Sequence, residues 1–204
     1  MTMSTRRRSL LALFALLAVA IGAVVVSGRT TPDTISSVAA VNGNTSLPVL
    51  AEAAPKITAS GWLNTAPLDT QDLEGKVVLY DFWTFGCINC VHTLPHLKAW
   101  DERYRVDGLV VLSIHTPEFT YEADPANVHR FVSENDIRYP VALDPDRLTW
   151  RAFANRYWPA FYLHDRDGKR RYQHFGEGAY ERTEDNIRAL LGVDPSSPRA
   201  VVIT

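Results

Sequence analysis

Both cysteines of this 204-residue chain lie in one stretch, "YDFWTFGCINCVHTLPHL", residues 80–97. Cys87 and Cys90 are about one helical turn apart and directly follow the apolar run "VVLYDFW" at 77–83. A run of this kind, rich in β-branched and aromatic residues, is typical of a strand that is covered on both faces. The stretch therefore predicts a buried strand, a turn that carries the two thiols, and a helix. The buried face of that helix is expected to comprise Ile88, Val91, Leu94, Leu97 and Trp100.

The alternation of strands and helices continues along the rest of the chain. Strand-like segments occur at 108–115, at 139–144 and as a hairpin at 160–175, whose strands are joined by an Asp-Gly turn. Helix-like segments occur at 125–137, at 146–157 and at 183–192, the last of which ends in a suitable capping glycine. This order predicts an α/β fold with a mixed central β-sheet and helices on both faces.

The first 28 residues have the composition of a targeting segment. Three consecutive arginines precede an uncharged apolar run at 10–26. Such arginines stay on the cytoplasmic side of a membrane, so we expect the chain after Arg29 to be exported to the periplasm or cell envelope. The run exceeds a usual signal-peptide core but is slightly short for an untilted span, and its cleavage motif is weak. These features favour an uncleaved anchor over a cleaved signal.

Composition divides the remainder of the chain into three parts. Residues 29–60 are rich in Thr, Ser, Ala, Pro and Asn without a sustained period, which predicts a flexible tether. Residues 61–192 carry the strand and helix pattern of one domain, and 193–204 predict a C-terminal tail. The net charge of −2 gives no support for nucleic-acid binding, so we expect membrane contact through the N-terminal segment only.

Several explanations of the cysteine pair fit poorly. A disulfide that closes so small a loop stabilises a fold by only roughly 2 kcal/mol, less than a longer loop gives. A structural zinc site needs four ligands, and the sequence has no second cysteine pair. Haem attachment needs a histidine directly after the second cysteine, but residue 91 is valine. His92 and His96 share the predicted helix without an obvious third ligand, so we assign them to a solvated face.

A reactive dithiol explains the position of the pair better. At a helix start, unpaired backbone N–H groups and the helix dipole stabilise a thiolate at the first cysteine, while the second faces inward. Asp81, within the apolar run, is an acid that is costly to bury without a purpose. The residues therefore indicate redox chemistry that needs no cofactor beyond a Cys87–Cys90 disulfide.

The chain resembles thioredoxin-fold proteins of the exported, TlpA-like and DipZ-like kind over about residues 61–191. The likeness rests on "DFW" followed by C-x-x-C, on Pro95 eight residues after the first cysteine, and on "YWPAFYL" at 157–163. Residues 116–144 look like the helix-and-strand insertion of the TlpA-like group. The resemblance implies a thioredoxin fold and activity as a thiol-disulfide oxidoreductase that exchanges disulfides with protein substrates.

The resemblance also implies roles for the residues that match the motifs of the family. Cys87 would be the attacking nucleophile and Cys90 the resolving thiol, and Asp81 would move protons for Cys90. Pro159 would follow a cis peptide bond and pack against the dithiol. The backbone of Trp158 would then be free to pair with an extended substrate segment.

The expected substrate-binding surface also includes Trp83 and Gly86. Gly86 departs from the thioredoxin pattern, in which an aromatic residue usually precedes the first cysteine. Ile88 and Asn89 depart from it as well, since they replace Gly and Pro between the cysteines. These three positions are expected to alter the surface and the redox poise, and hence the substrate and the direction of electron flow.

The TlpA-like resemblance favours the reductase direction, with cytochrome maturation as one possible setting. A reductase in an oxidising compartment must be returned to its dithiol state by an electron donor. We therefore expect a transmembrane thiol-transfer protein as a partner, besides the protein thiols and disulfides that serve as substrates.

Two other functions stay open. Thr84 lies three residues before Cys87, as in the Thr-x-x-Cys pattern of thiol peroxidases, although position 80 is tyrosine where that pattern has proline. Alternatively, the two thiols could bind a soft ion such as Cu(I), with help from a histidine, in a non-catalytic metal or haem chaperone. Glu118 and Glu177 follow predicted strands near the site, but we expect both to be solvated loop acids.

Overall fold

The computed structural model describes residues 47–203. The predicted targeting segment at 1–28 and residues 29–46 of the predicted tether lie outside this range. Within it, one six-stranded sheet forms the centre of the fold. Its strands are β1 Gly61–Leu63, β2 Val77–Trp83, β3 Leu109–His115, β4 Val141–Leu143, β5 Ala160–His164 and β6 Arg170–Phe175.

The sheet is mixed, as the sequence predicted. The strand order is β1-β4-β3-β2-β5-β6. β3 pairs in parallel with β2 and β4, and the other pairings are antiparallel. The helices are α1 Ile88–Tyr104, α2 Pro125–Glu134, α3 Leu148–Ala152 and α4 Tyr180–Leu191, with two 3₁₀ turns at Arg105–Asp107 and Thr120–Ala123. None of the helices between residues 47 and 203 has both the length and the apolar character needed to cross a membrane.

The central strand β2 determines which side chains meet on each face of the sheet. Leu79 and Trp83 pack into the core beneath α1, α2 and α4, whereas Tyr80 and Phe82 pack into the core beneath α3. Successive side chains of a strand point to opposite faces, so Asp81 points to the α1 face. The buried acid therefore shares a face with the helix that carries the cysteines.

Two helices are shorter than the sequence pattern predicted. α2 ends at Glu134 rather than at residue 137, because Asp136 adopts a left-handed conformation with φ 50° and the chain turns to bury Ile137. α3 spans five residues instead of 146–157. Left-handed Arg147 and Ala154, with φ of 56° and 52°, bound it on either side. The apolar periodicity of the sequence continues past the observed ends of these helices, so it gave no indication of the left-handed residues that end them.

The described part of the predicted tether, residues 47–60, differs from the expected flexible chain. The N–H of Leu50 donates to the carbonyl of Arg170 at 2.7 Å, and the N–H of Arg170 donates to Ala51 at 2.9 Å. The N–H of Thr58 donates to Oγ1 of Thr149 at 2.8 Å. Strand β1 follows at once and was not predicted. Backbone groups make most of these contacts, which is why the polar composition did not reveal them.

A buried arginine holds the segment that follows α4. Arg188 is 5% exposed. Its guanidinium donates to the carbonyls of Asp194, Pro195 and Ser197 at 2.9, 3.1 and 3.0 Å, and to the hydroxyl of Tyr104 at 3.1 Å. One side chain thus connects α1, α4 and the chain after Gly192.

We expect Arg188→Met to lower the free energy of unfolding by about 2 kcal/mol, because several part-buried hydrogen bonds are lost together and each contributes about 0.5–1.5 kcal/mol. Urea unfolding monitored by circular dichroism measures the difference. Arg182→Met is the matched control, since Arg182 is an exposed arginine of the same helix. Equal unfolding midpoints for the two variants would contradict the role given to Arg188.

Candidate active site

The dithiol lies at the N-terminus of α1. Cys87 directly precedes the helix and has an extended backbone, with φ −88° and ψ 110°. Its N–H donates to the carbonyl of Thr84 at 3.3 Å, and its carbonyl accepts the N–H of Cys90 at 3.0 Å. The N–H groups of Ile88 and Asn89 have no partner among the described residues. Both are therefore available to an anionic sulfur at the helix start.

The two sulfurs occupy different environments. Both cysteines are free thiols, but Cys87 is half-buried whereas Cys90 is 0% exposed. Burial raises the pKa of the Cys90 thiol well above its usual range; the hydrogen bond to Cys87 and the charge of Asp81 act in the same direction. The N–H of Thr84 has the opposite but smaller effect. Cys90 therefore needs a base to remove its proton before it can attack.

Asp81 lies near enough for its charge to raise the pKa of Cys90. It is 0% exposed, and Ser113 Oγ donates to Asp81 Oδ2 at 2.6 Å from the neighbouring strand β3. Asp81 Oδ1 has no hydrogen-bond partner among the described residues. Burial raises the pKa of Asp81 to about 7, although the bond from Ser113 lowers it. Near neutral pH the carboxyl group can therefore both accept and donate a proton.

The peptide bond between Trp158 and Pro159 is cis, as predicted. The carbonyl of Pro159 accepts the N–H of Gly176 at 2.8 Å, which ties the proline to the loop after β6. Neither backbone group of Trp158 has a backbone partner within residues 47–203. An extended peptide could pair with these groups, as strand-addition ligands do.

The indole of Trp158 connects this proline loop to the insertion. Its Nε1 donates to the carbonyl of Thr116 at 3.0 Å. The ring lies 4.2 Å from that of Trp150, and the guanidinium of Arg147 lies 5.1 Å from its centroid. Arg147 also donates to the carbonyl of Pro117 at 2.7 Å. These contacts therefore join the insertion to the proline loop.

Glu122 is a residue that the sequence reasoning missed. It is 0% exposed, and its Oε1 accepts the N–H of Gly86, the residue before Cys87, at 2.9 Å. A Cβ atom at Gly86 would lie 2.0 Å from Glu122 Oε1. The carboxylate can therefore approach the backbone this closely only while residue 86 has no side chain. One glutamate in a polar loop carries no sequence signal of such a long-range contact.

Two residues lie differently from the sequence predictions. Trp83 was expected on the substrate surface, but it is 1% exposed and packs edge-on against His115, so its side chain is not at that surface. Ile88 was expected on the buried face of α1, but it is 62% exposed. It is the first residue of α1. Gly86, in contrast, is exposed as a substrate-contacting position must be.

A family model matches residues 50–173, the part of the chain that contains the dithiol, the buried acid and the cis-proline. The chain belongs to the AhpC/TSA family. Ser113 and Glu122 also lie inside the matched range.

Relatives of this AhpC/TSA chain include proteins of different sizes. Protein DipZ of Mycobacterium bovis is 47% identical over 135 residues, which are 65% of this chain and 19% of DipZ. The chain thus spans about a fifth of DipZ. YkuV of Bacillus subtilis, named a thiol-disulfide oxidoreductase, is 29% identical over 138 residues, which are 67% of this chain and 93% of YkuV. A solved thioredoxin-like protein has a TM-score of 0.64 and 28% identity, and the match covers 70% of this chain and 96% of that one.

These comparisons confirm the resemblance to TlpA-like and DipZ-like proteins and the thioredoxin fold of this AhpC/TSA member. Among these relatives, YkuV carries the name of the predicted class of enzyme, thiol-disulfide oxidoreductase. The roles of individual residues and the direction of electron flow rest on the geometry described above and belong to the proposal below.

The histidines of α1 in this AhpC/TSA chain have partners other than a metal. Nδ1 of His92 lies 3.2 Å from the carboxylate of Glu177, and both side chains are exposed. The ring of His96 stacks on Tyr180 with centroids 3.6 Å apart. Within residues 47–203, no group of three or more His, Cys, Asp or Glu side chains could hold a metal ion. Glu118 is exposed, in keeping with a loop acid.

Proposed function

We propose that this chain is an extracytoplasmic thiol-disulfide oxidoreductase that exchanges disulfides with protein substrates through Cys87 and Cys90. The observation that carries the proposal is the asymmetry of the pair. Cys87 is accessible at a helix start with two unpaired N–H groups, whereas Cys90 is fully buried with a raised pKa. Asp81, whose pKa is about 7, lies close enough to influence Cys90.

The first step is attack by the Cys87 thiolate on one sulfur of a substrate disulfide. The substrate S–S bond breaks, one substrate sulfur leaves as a thiolate, and Cys87 becomes joined to the other in a mixed disulfide. The N–H groups of Ile88 and Asn89 stabilise the attacking anion before the step. The exposed backbone of Gly86 leaves room for the substrate chain beside the sulfur.

The second step releases the substrate. Asp81 takes the proton from Cys90, whose thiolate then attacks the sulfur of Cys87 and breaks the mixed disulfide. The substrate leaves with its second sulfur reduced, and the protein holds a Cys87–Cys90 disulfide. Two electrons have moved from protein to substrate without a further cofactor, and the same steps run in reverse for oxidation.

Substrate orientation depends on the proline loop in this proposal. The unpaired backbone groups of Trp158 would hold an extended segment of the substrate as an added strand, with the cis bond to Pro159 shaping the loop. Only main-chain groups take part in such pairing, so it would tolerate varied side chains around the substrate cysteine.

The reductase direction is favoured, and it requires a source of electrons. The apolar leader at 1–28 would anchor the domain on the outer side of a membrane, with residues 29–46 as part of a tether. In an oxidising compartment a transmembrane thiol-transfer protein would return the disulfide to the dithiol. Cytochrome maturation is one setting in which such a reductase would act, by reducing protein disulfides to thiols.

Trapping with Cys90→Ser tests the proposal and identifies the partner. Without the resolving thiol, we expect mixed disulfides between Cys87 and substrates to accumulate, visible as slower bands on non-reducing gels that dithiothreitol removes. The double variant Cys87→Ser with Cys90→Ser is the control and should trap nothing. If the single and double variants give the same bands, Cys87 is not the attacking residue.

A thiol peroxidase is the second candidate, because the family model is that of AhpC/TSA proteins and Thr84 lies three residues before Cys87. In the structure the hydroxyl of Thr84 lies 3.3 Å from Nε2 of His115 and is buried, so it is already engaged away from the surface. Rapid peroxide consumption by the reduced protein that survives Cys90→Ser would favour the peroxidase over disulfide exchange.

A further inference from the structure

The carboxylate of Glu122 joins two backbone segments beside the dithiol. Its Oε1 accepts the N–H of Gly86 at 2.9 Å. Its Oε2 accepts the N–H groups of Glu118 and Phe119 at 2.7 and 2.9 Å. An ionised carboxylate only accepts hydrogen bonds, and three N–H donors satisfy that state. The buried carboxylate therefore links the loop before Cys87 to the insertion.

The loop before Cys87 has space for the carboxylate of Glu122 because residue 86 is glycine. A Cβ atom at residue 86 would lie 2.0 Å from Glu122 Oε1 and 2.7 Å from the hydroxyl of Tyr121, so any larger residue would push the ends of these two side chains aside. The N–H of Gly86 is occupied by Glu122, and that of Cys87 is occupied by Thr84. Two backbone donors next to the sulfur are thus withheld from a thiolate.

The charge of Glu122 is not neutralised by the buried histidine near it. His115 is 2% exposed, and burial lowers its pKa to about 4, although the charge of Glu122 acts in the opposite direction. At neutral pH His115 is therefore uncharged. Its ring stacks on Phe85 with centroids 5.5 Å apart and bonds to Thr84, which holds the same loop from the other side.

We propose that Glu122 is a positioning residue that fixes the backbone before Cys87 and biases the dithiol towards the reductase direction. An anion beside the sulfur disfavours the thiolate through like-charge repulsion. The reduced protein is then less stable relative to the disulfide and gives up its electrons more readily. This inference rests on the proposed function and assigns its direction to Glu122, in addition to Ile88 and Asn89.

The test is the redox equilibrium of the full chain with glutathione at about pH 9, where an ordinary thiol is mostly ionised. Glu122→Gln keeps the size of the side chain and removes the charge. We expect its equilibrium to shift about tenfold towards the dithiol, equivalent to about 30 mV in the oxidising direction. Glu134→Gln, which removes the charge of an exposed glutamate at the end of α2, should match wild type.

A second variant keeps the inference testable if Glu122→Gln does not fold. Gly86→Ala retains the glutamate but forces its carboxylate away from residue 86, so we expect a shift of the same sign. If either folded variant has the wild-type potential, Glu122 serves stability alone and the inference is wrong. If wild type fails to equilibrate with glutathione at all, the proposed function fails instead, so the two failures are distinguishable.

Discussion

Asp81→Asn should make the protein more stable above neutral pH by about 4 kcal/mol while slowing its turnover. Burial raises the pKa of Asp81 from 3.8 to about 7 in the folded state. Each unit of pKa shift corresponds to about 1.36 kcal/mol, so ionising this carboxyl group in the folded protein costs about 4 kcal/mol. Asparagine has a similar shape but does not ionise, and it still accepts the hydroxyl of Ser113.

The sign of the pH dependence follows from proton binding. Between about pH 4 and pH 7 the folded protein retains the proton of Asp81 that the unfolded chain has lost. Stability therefore falls as pH rises through this window, and the whole cost is present above about pH 7. Urea unfolding of the reduced proteins at several pH values should show this fall for wild type and its absence for Asp81→Asn.

The same substitution should slow release of the mixed disulfide. Loss of a general base costs about a hundredfold or more, and the buried thiol of Cys90, with its raised pKa, has no other base assigned to it. Single-turnover mixing with a disulfide substrate measures this step. Asp146→Asn, an exposed carboxylate, is the matched control for loss of one charge. If the free energy of unfolding has the same pH dependence in wild type and Asp81→Asn, burial does not raise the pKa of Asp81 and the stability prediction is wrong.

The sheet and the active-site helix could be predicted because their signals are local. β2 and the beginning of α1 lie within one motif, and the bounds of β2 agree with the prediction. The end of α2 could not be predicted, because the left-handed Asp136 is imposed by the burial of Ile137. β1 pairs with β4, which lies about 80 residues away along the chain, and no periodicity of the sequence indicates such a long-range contact.

The residues of the candidate site also fall into two groups: those that a local motif predicts and those that only the folded chain brings together. Local sequence motifs were enough to predict the dithiol of Cys87 and Cys90 and the cis bond at Pro159, because each motif implies a local geometry. Glu122 was missed, since its role arises only when the insertion folds back on residue 86. Gly86 looked like a departure from the family pattern, and the structure explains it as the space that Glu122 occupies.

Ser113 was also missed, although a hydroxyl in the apolar run of β3 could have indicated a buried polar contact. It pairs in register with Asp81 and donates to its carboxylate at 2.6 Å. Sequence reasoning treated each strand by itself, whereas register between neighbouring strands brings these two polar groups together.

Insulin reduction with dithiothreitol as the electron source tests the central claim, that Cys87 performs disulfide exchange. Wild type should precipitate insulin much faster than dithiothreitol alone, and Cys87→Ser should fall to the rate of dithiothreitol alone. Serine nearly preserves the shape of the half-buried cysteine, so circular dichroism should show an unchanged fold. Equal rates for wild type and Cys87→Ser would contradict the account.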